Sequence, residues 1–239
     1  AARLAKHLPS DQPIHGIQMP LQGELALWYK TKECHLSLED LAARCIEIMQ
    51  DKQPSGPYRI AGFCAAGNLA YEIAIQLTIK GADVQYLALI DSTYGAGISK
   101  RTFPVLHRCW YHLKNLLTEG PEYFHTKLKN KYPDELIEAT SAINAEEHFL
   151  SAMIKSYRPG GYTGHLSLFR NSRDVSFSKD KGNANGWDKL LKGGVNVREY
   201  DCKHSQITLE PFLGLISKDI ELDLKTEAQP SSCCSQISI

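Results

Sequence analysis

The sequence predicts an α/β domain with a mostly parallel central sheet flanked by helices and a helical insertion. Apolar runs suited to buried strands alternate with segments of helical apolar spacing. Residues 58–90 form a strand–helix–strand stretch of the length of a βαβ unit, whose right-handed crossover makes the two strands parallel. No internal repeat or low-complexity linker divides the chain, so one domain is expected over residues 1–224, followed by a polar tail, 225–239, expected to be disordered.

The elements follow in order. Residues 1–8 have helical spacing through Leu4 and Leu8 and end at the turn set around Pro9–Pro13. Ile14–Met19 reads as a short apolar strand. Leu38, Leu41, Ala42, Cys45, Ile46 and Met49 recur at three and four residues, which predicts an amphipathic helix entered through Ser37 with Asp40 at N3. A turn cluster at Gln53–Pro57 precedes the buried strand Tyr58–Phe63. The helix from Ala65 to Lys80 presents Leu69, Ile73 and Leu77 on one face and stops at Gly81. Val84–Ile90 is a second buried strand, ending at Asp91. Between about 99 and 157 aromatics and histidines crowd the helical pattern, which predicts two or three helices forming a lid. Strands are then expected at His165–Phe169 and Val195–Tyr200, separated by a polar loop over Asn171–Gly186 and a short helix at Trp187–Leu191. A loop carrying His204 leads to a closing helix, Leu209–Leu222.

Composition narrows the function. With 27 basic and 27 acidic side chains the net charge is zero, which argues against electrostatically driven nucleic-acid binding. No apolar run reaches the roughly 18 residues a membrane span needs, and the first residues lack a signal peptide's apolar stretch. Seven scattered cysteines, an odd number, fit a reducing cytoplasm better than a disulfide framework. Cys202-x-His204 and Cys34-His35 lack the spacing of a zinc site, so no metal is expected.

Three residues suit covalent chemistry. Gly62-Phe63-Cys64-Ala65-Ala66-Gly67 lies at a strand-to-helix junction, where a nucleophile on a tight turn needs small neighbours two residues away. The positive end of the helix favours a thiolate there. A buried cysteine in a small-residue packing turn is the competing reading. Asp91 ends the adjacent strand on the same carboxyl edge, where α/β sheets place their sites, though a turn-forming Asp91-Ser92-Thr93 would look similar. His204, just past the strand 195–200, reaches that edge too, with a solvated loop histidine as its alternative. Together the three suit a thiol activated by imidazole and an imidazole oriented by carboxylate.

The chain resembles the thioesterase domain that ends modular polyketide and nonribosomal-peptide synthases, a branch of the α/β-hydrolase family. Leu4–Leu8 and Asp11–Gln18 resemble its first helix and following strand, and Gly56–Gly62 with Ala70–Ala74 its elbow. Leu89–Ser92 resembles the acid strand, and Tyr157-Arg158-Pro159 with Tyr162–Gly164 the lid exit. Gly186-Trp187 and His204 with Glu210-Pro211 complete the likeness. Members usually carry serine as nucleophile and a minority cysteine, and this chain has Asp201-Cys202-Lys203 where the family has glycine shortly before its histidine.

The resemblance implies a Cys64–His204–Asp91 triad, with the Ala65 N–H as one oxyanion donor. The second donor comes from a loop before the first helix in such enzymes, ahead of Ala1, and is unassigned. It further implies an acyl chain delivered on the phosphopantetheine of an acyl or peptidyl carrier protein, expected in the same polypeptide, and no cofactor held by the domain itself. The implied activity is release by hydrolysis or by closure to a lactone or lactam. A stand-alone editing thioesterase that clears stalled carriers, and a non-catalytic binding module on the same fold, are the alternatives.

Overall fold

The computed structural model describes residues 3–94, 146–173 and 182–227, apart from positions 10, 11, 22, 32, 147 and 183. Four strands, β1 (Tyr58–Phe63), β2 (Val84–Ile90), β3 (Leu166–Asn171) and β4 (Val195–Tyr200), lie in that spatial order and pair in parallel throughout. This is the α/β architecture expected. Strand β2 is buried on both faces, which its unbroken run Tyr86–Ile90 allows. Leu87 and Leu89 enter the larger core on one side, and Tyr86, Ala88 and Ile90 a second core on the other. Burying each of these leucines is worth about 1.5–3 kcal/mol.

The larger core lies under α2 (Leu38–Lys52) and α3 (Ala66–Ile79). Helix α2 begins as the sequence predicts. Ser37 Oγ accepts from the Asp40 N–H at 3.0 Å, and Asp40 accepts in return from the Ser37 backbone. Helix α3 is apolar around most of its surface because the sheet, α2 and the stretch 148–156 enclose it. That stretch is helical and buries Phe149, Leu150, Met153 and Ile154. Tyr157, at its end, donates to the buried Glu72 of α3. The rest of the expected lid, residues 99–145, lies outside the described residues.

Several expectations need correction. Ile14–Met19 forms no strand: His15–Gln18 are exposed, and the run is too short and too solvated to pair. The first helix shrinks to a 3-10 turn, Leu4–Lys6, and the one at 187–191 to Trp187–Lys189. Helix α1 (Glu24–Thr31) was not apparent in the sequence, and tertiary contacts hold it: Trp28 meets Phe149 edge-on at 5.6 Å, and Glu24 pairs with Arg44 at 2.7 Å. The closing helix, α4, runs from Phe212 to Glu227 rather than 209–222. Leu224 packs against the second core and draws the helix onward, so Lys225–Glu227 are helical and not part of a disordered tail. Residues 228–239 and 174–181 lie outside the described residues.

On the second core, α4 is tied to the sheet by Asp223. Its carboxylate accepts from Tyr86 (2.9 Å), Ser167 (2.8 Å) and Arg198 (2.8 Å). No helix among the described residues is long and apolar enough to cross a membrane.

Candidate active site

Cys64 stands between β1 and α3 at φ 52°, a left-handed conformation that costs a non-glycine residue about 1–3 kcal/mol. Its N–H continues the sheet ladder to the Ile90 carbonyl at 2.9 Å, so the turn starts from a fixed point. A Cβ at Gly62 would lie 2.6 Å from the Ala66 carbonyl oxygen and 2.7 Å from Gly67 Cα, which explains the glycine two residues before the cysteine. A further close approach falls at Gly67, where a Cβ would sit 2.2 Å from Ser92 Oγ. Ala65 caps α3 in helical geometry, at the end where N–H groups lack partners within a helix. The thiol is partly exposed.

Asp91 repeats this construction one strand over. It too is left-handed, at φ 49°, and its N–H bonds the Phe169 carbonyl of β3 at 2.6 Å. The loop behind it is clamped: the Asn185 amide and the Trp187 indole N–H both donate to the Ser92 carbonyl, at 3.1 and 3.2 Å, while Asn68 of α3 donates to Thr93 at 3.2 Å. Burial alone would raise the Asp91 carboxyl, but hydrogen bonds from His204 and Asn171 outweigh it and hold it below the usual carboxylate range.

The loop after β4 brings His204 to this edge. Nδ1 and Asp91 Oδ2 are 2.6 Å apart, and because the carboxylate only accepts, Nδ1 carries the proton. Hydrogen bonds to Asp91 and then to Cys64 push His204 up to about 10, against the opposing effect of burial. The imidazole is therefore charged at neutral pH, and the Phe63 ring stacked on it at 5.3 Å and 12° suits a cation. The three residues singled out in the sequence thus meet at one edge.

Phe63, Asn171, Asn185 and the Gly67–Ser92 contact were not given a role at the site. Gly67 left a signal as a second small residue beside the elbow, and Trp187 as part of the family resemblance. Among the described residues no group of three or more His, Cys, Asp or Glu side chains is arranged to hold a metal. Cys202 is buried in the second core.

A protein-family model for the thioesterase domain matches residues 2–219. Malpibaldin synthetase of Mortierella alpina is 26% identical over 229 residues, 93% of this chain and 4% of that protein. Vanchrobactin synthetase VabF of Vibrio anguillarum is 30% identical over 236 residues, 94% of this chain and 8% of that protein. The chain thus spans a small fraction of these curated relatives. Among solved structures, the NocB thioesterase domain in covalent complex with a fluorophosphonate nocardicin G analog is 26% identical, with a TM-score of 0.63 and coverage of 92% of this chain and 86% of that one. The family match, running across the elbow, the acid strand and the histidine loop alike, places the chain in the thioesterase domain family.

Proposed function

We propose that this domain releases an acyl or peptidyl chain from a carrier-protein thioester, with Cys64 as nucleophile, His204 as general base and acid, and Asp91 as its orienting carboxylate. The observation that carries the reading is the convergence of Cys64 and Asp91, both left-handed at strand ends, on the one imidazole of His204. Membership of the thioesterase family supports thioester chemistry, and the multidomain synthetases among the relatives support a carrier protein as donor.

With its proton already resting on Nε2 of His204, the Cys64 sulfur attacks the carbonyl of the pantetheine thioester. The Ala65 N–H steadies the oxyanion. Collapse expels the pantetheine sulfur, which takes the proton from His204, leaving the chain on Cys64 as a thioester. His204 then removes a proton from water, or from a hydroxyl or amine of the chain, and that oxygen or nitrogen displaces the Cys64 sulfur, which recovers the proton. The product is an acid, a lactone or a lactam. A thioester intermediate keeps the activation of the incoming bond, which a serine ester loses in part, so cysteine suits closure by a weak nucleophile.

Intact-mass analysis after mixing with an acyl-N-acetylcysteamine thioester tests the reading. An adduct mapped to Cys64 and lost in Cys64→Ala is expected; turnover that survives Cys64→Ala would refute it. In Cys64→Ser the ratio of cyclised to hydrolysed product is expected to fall, and an unchanged ratio counts against the role given to sulfur.

A further inference from the structure

Asp91 and His204 do not come from neighbouring strands. Asp91 ends β2 and His204 follows β4, so their strands are separated by roughly 10 Å, twice the usual spacing. The strand between them is β3, and its last residue is Asn171. The Asn171 backbone N–H donates to Asp91 Oδ1 at 3.1 Å, and its side-chain Nδ2 donates to Asp91 Oδ2 at 2.6 Å. His204 Nδ1 reaches that same Oδ2, also at 2.6 Å. Asn171 is itself held in register with Tyr200 of β4, the strand that leads to the histidine loop.

We propose that Asn171 is a positioning residue for the reaction: it grips the Asp91 carboxylate through both oxygens and fixes its plane so that Oδ2 faces His204. The proposal rests on the reading of Cys64, His204 and Asp91 as the reacting set.

The final torsion of an aspartate is broad and two-fold, so a carboxylate held on one side only is free to turn. The Asp91 side chain is only 4% exposed, so water offers it little and its orientation rests on the donors around it. Two donors from one residue close that freedom, one on each oxygen. An amide on Oδ2 also weakens the carboxylate as an acceptor for His204, an effect of opposite sign. Anchoring prevails, because a carboxylate rotated out of that plane no longer aims Oδ2 at the imidazolium. Among the described residues the titratable groups acting on the pair are each other and Cys64.

The experiment follows Cys64 alkylation by iodoacetamide against pH, with peptide mapping to separate Cys64 from the other thiols. It compares the native protein with Asn171→Ala and Asn171→Leu. The backbone donor to Oδ1 survives in both variants, while the side-chain bond to Oδ2 is removed. The midpoint is expected to move to higher pH in both, and alkylation at pH 7 to slow about tenfold to hundredfold, the worth of one hydrogen bond to a charged group. A lower melting temperature with the native midpoint, or a midpoint moved to lower pH, overturns the proposal.

Should both variants fail to fold, the native protein still decides. By NMR the Asn171 side-chain amide protons are expected to shift with the same midpoint as the His204 ring; a signal that ignores that titration overturns the proposal. Failure of the underlying reading looks different: Cys64 then alkylates no faster than an ordinary thiol in the native protein itself.

Discussion

Gly67 is where the nucleophile helix and the acid loop touch, and a single methyl tests how closely they are fitted. In Gly67→Ala the new Cβ would sit 2.2 Å from Ser92 Oγ and 2.4 Å from Ser92 Cβ, more than an ångström short of ordinary contact. Neither side yields easily. Ser92 is fully buried, with its carbonyl held by Asn185 and Trp187, and α3 is packed on the sheet. Overpacking of this kind costs about 1–3 kcal/mol. Because Ser92 follows Asp91 directly, the displacement also reaches the carboxylate, and an ångström at a reacting group costs about a hundredfold in rate.

Ser92 Oγ is buried and makes no hydrogen bond, so Ser92→Gly removes both clashing atoms without breaking one. The double variant Gly67→Ala/Ser92→Gly is therefore expected to recover much of the loss, with a coupling of about 1–3 kcal/mol. Urea unfolding gives the stability and iodoacetamide mapping at Cys64 gives the reactivity. A Gly67→Ala protein within about 0.5 kcal/mol of the parent, or a double variant no better than the sum of the singles, would show that this contact does not set the geometry.

Asp91→Asn removes the partner that keeps His204 charged. The folded value of His204 is raised from 6.5 to about 10, so its contribution is complete below pH 6.5 and fades as pH climbs through about 10. The Asp91 value is lowered from 3.8, so its contribution is present above that pH and is lost as acid titrates the folded carboxylate. The parent is therefore expected to exceed Asp91→Asn by on the order of 2 kcal/mol at pH 5–6.5, after discounting for the exposed third of the ring, with the gap narrowing toward pH 10. Melting curves across that range check it, and a constant gap contradicts it. In the second core, Asp223→Ala leaves Arg198 only its longer pairing with Asp219, at 4.0 Å, and frees Tyr86 and Ser167, for an expected loss of about 3 kcal/mol. Cys64 alkylation is expected to stay at the parental rate, and a parallel drop in both would refute the separation of the two faces.

Much of this architecture was legible in the residues. The capping box at Ser37, the βαβ unit and the strand-end positions of Cys64, Asp91 and His204 follow from period, turn chemistry and the rule that α/β sites gather at one edge. What escaped depends on pairing. Nothing about Ile14–Met19 tells that no strand lies beside it, and α1 is too short to announce itself without Trp28 against Phe149. Asn171 looks like any polar residue at the start of a loop; only the placement of β3 between β2 and β4 gives it a carboxylate to hold. A further close approach, at Gly67, escaped because its constraint comes from Ser92, distant in sequence.

In the proposed mechanism the left-handed corner at residue 64 also limits which nucleophiles can stand there. Serine and cysteine differ there by one atom and follow the same backbone path, whereas a branched Cβ at φ 52° meets severe steric resistance. Exchange between sulfur and oxygen is thus open to a single-base mutation without rebuilding the turn, and the route to threonine is closed. In the proposed mechanism such an exchange retunes the energy of the acyl intermediate while leaving the backbone path of the turn unchanged.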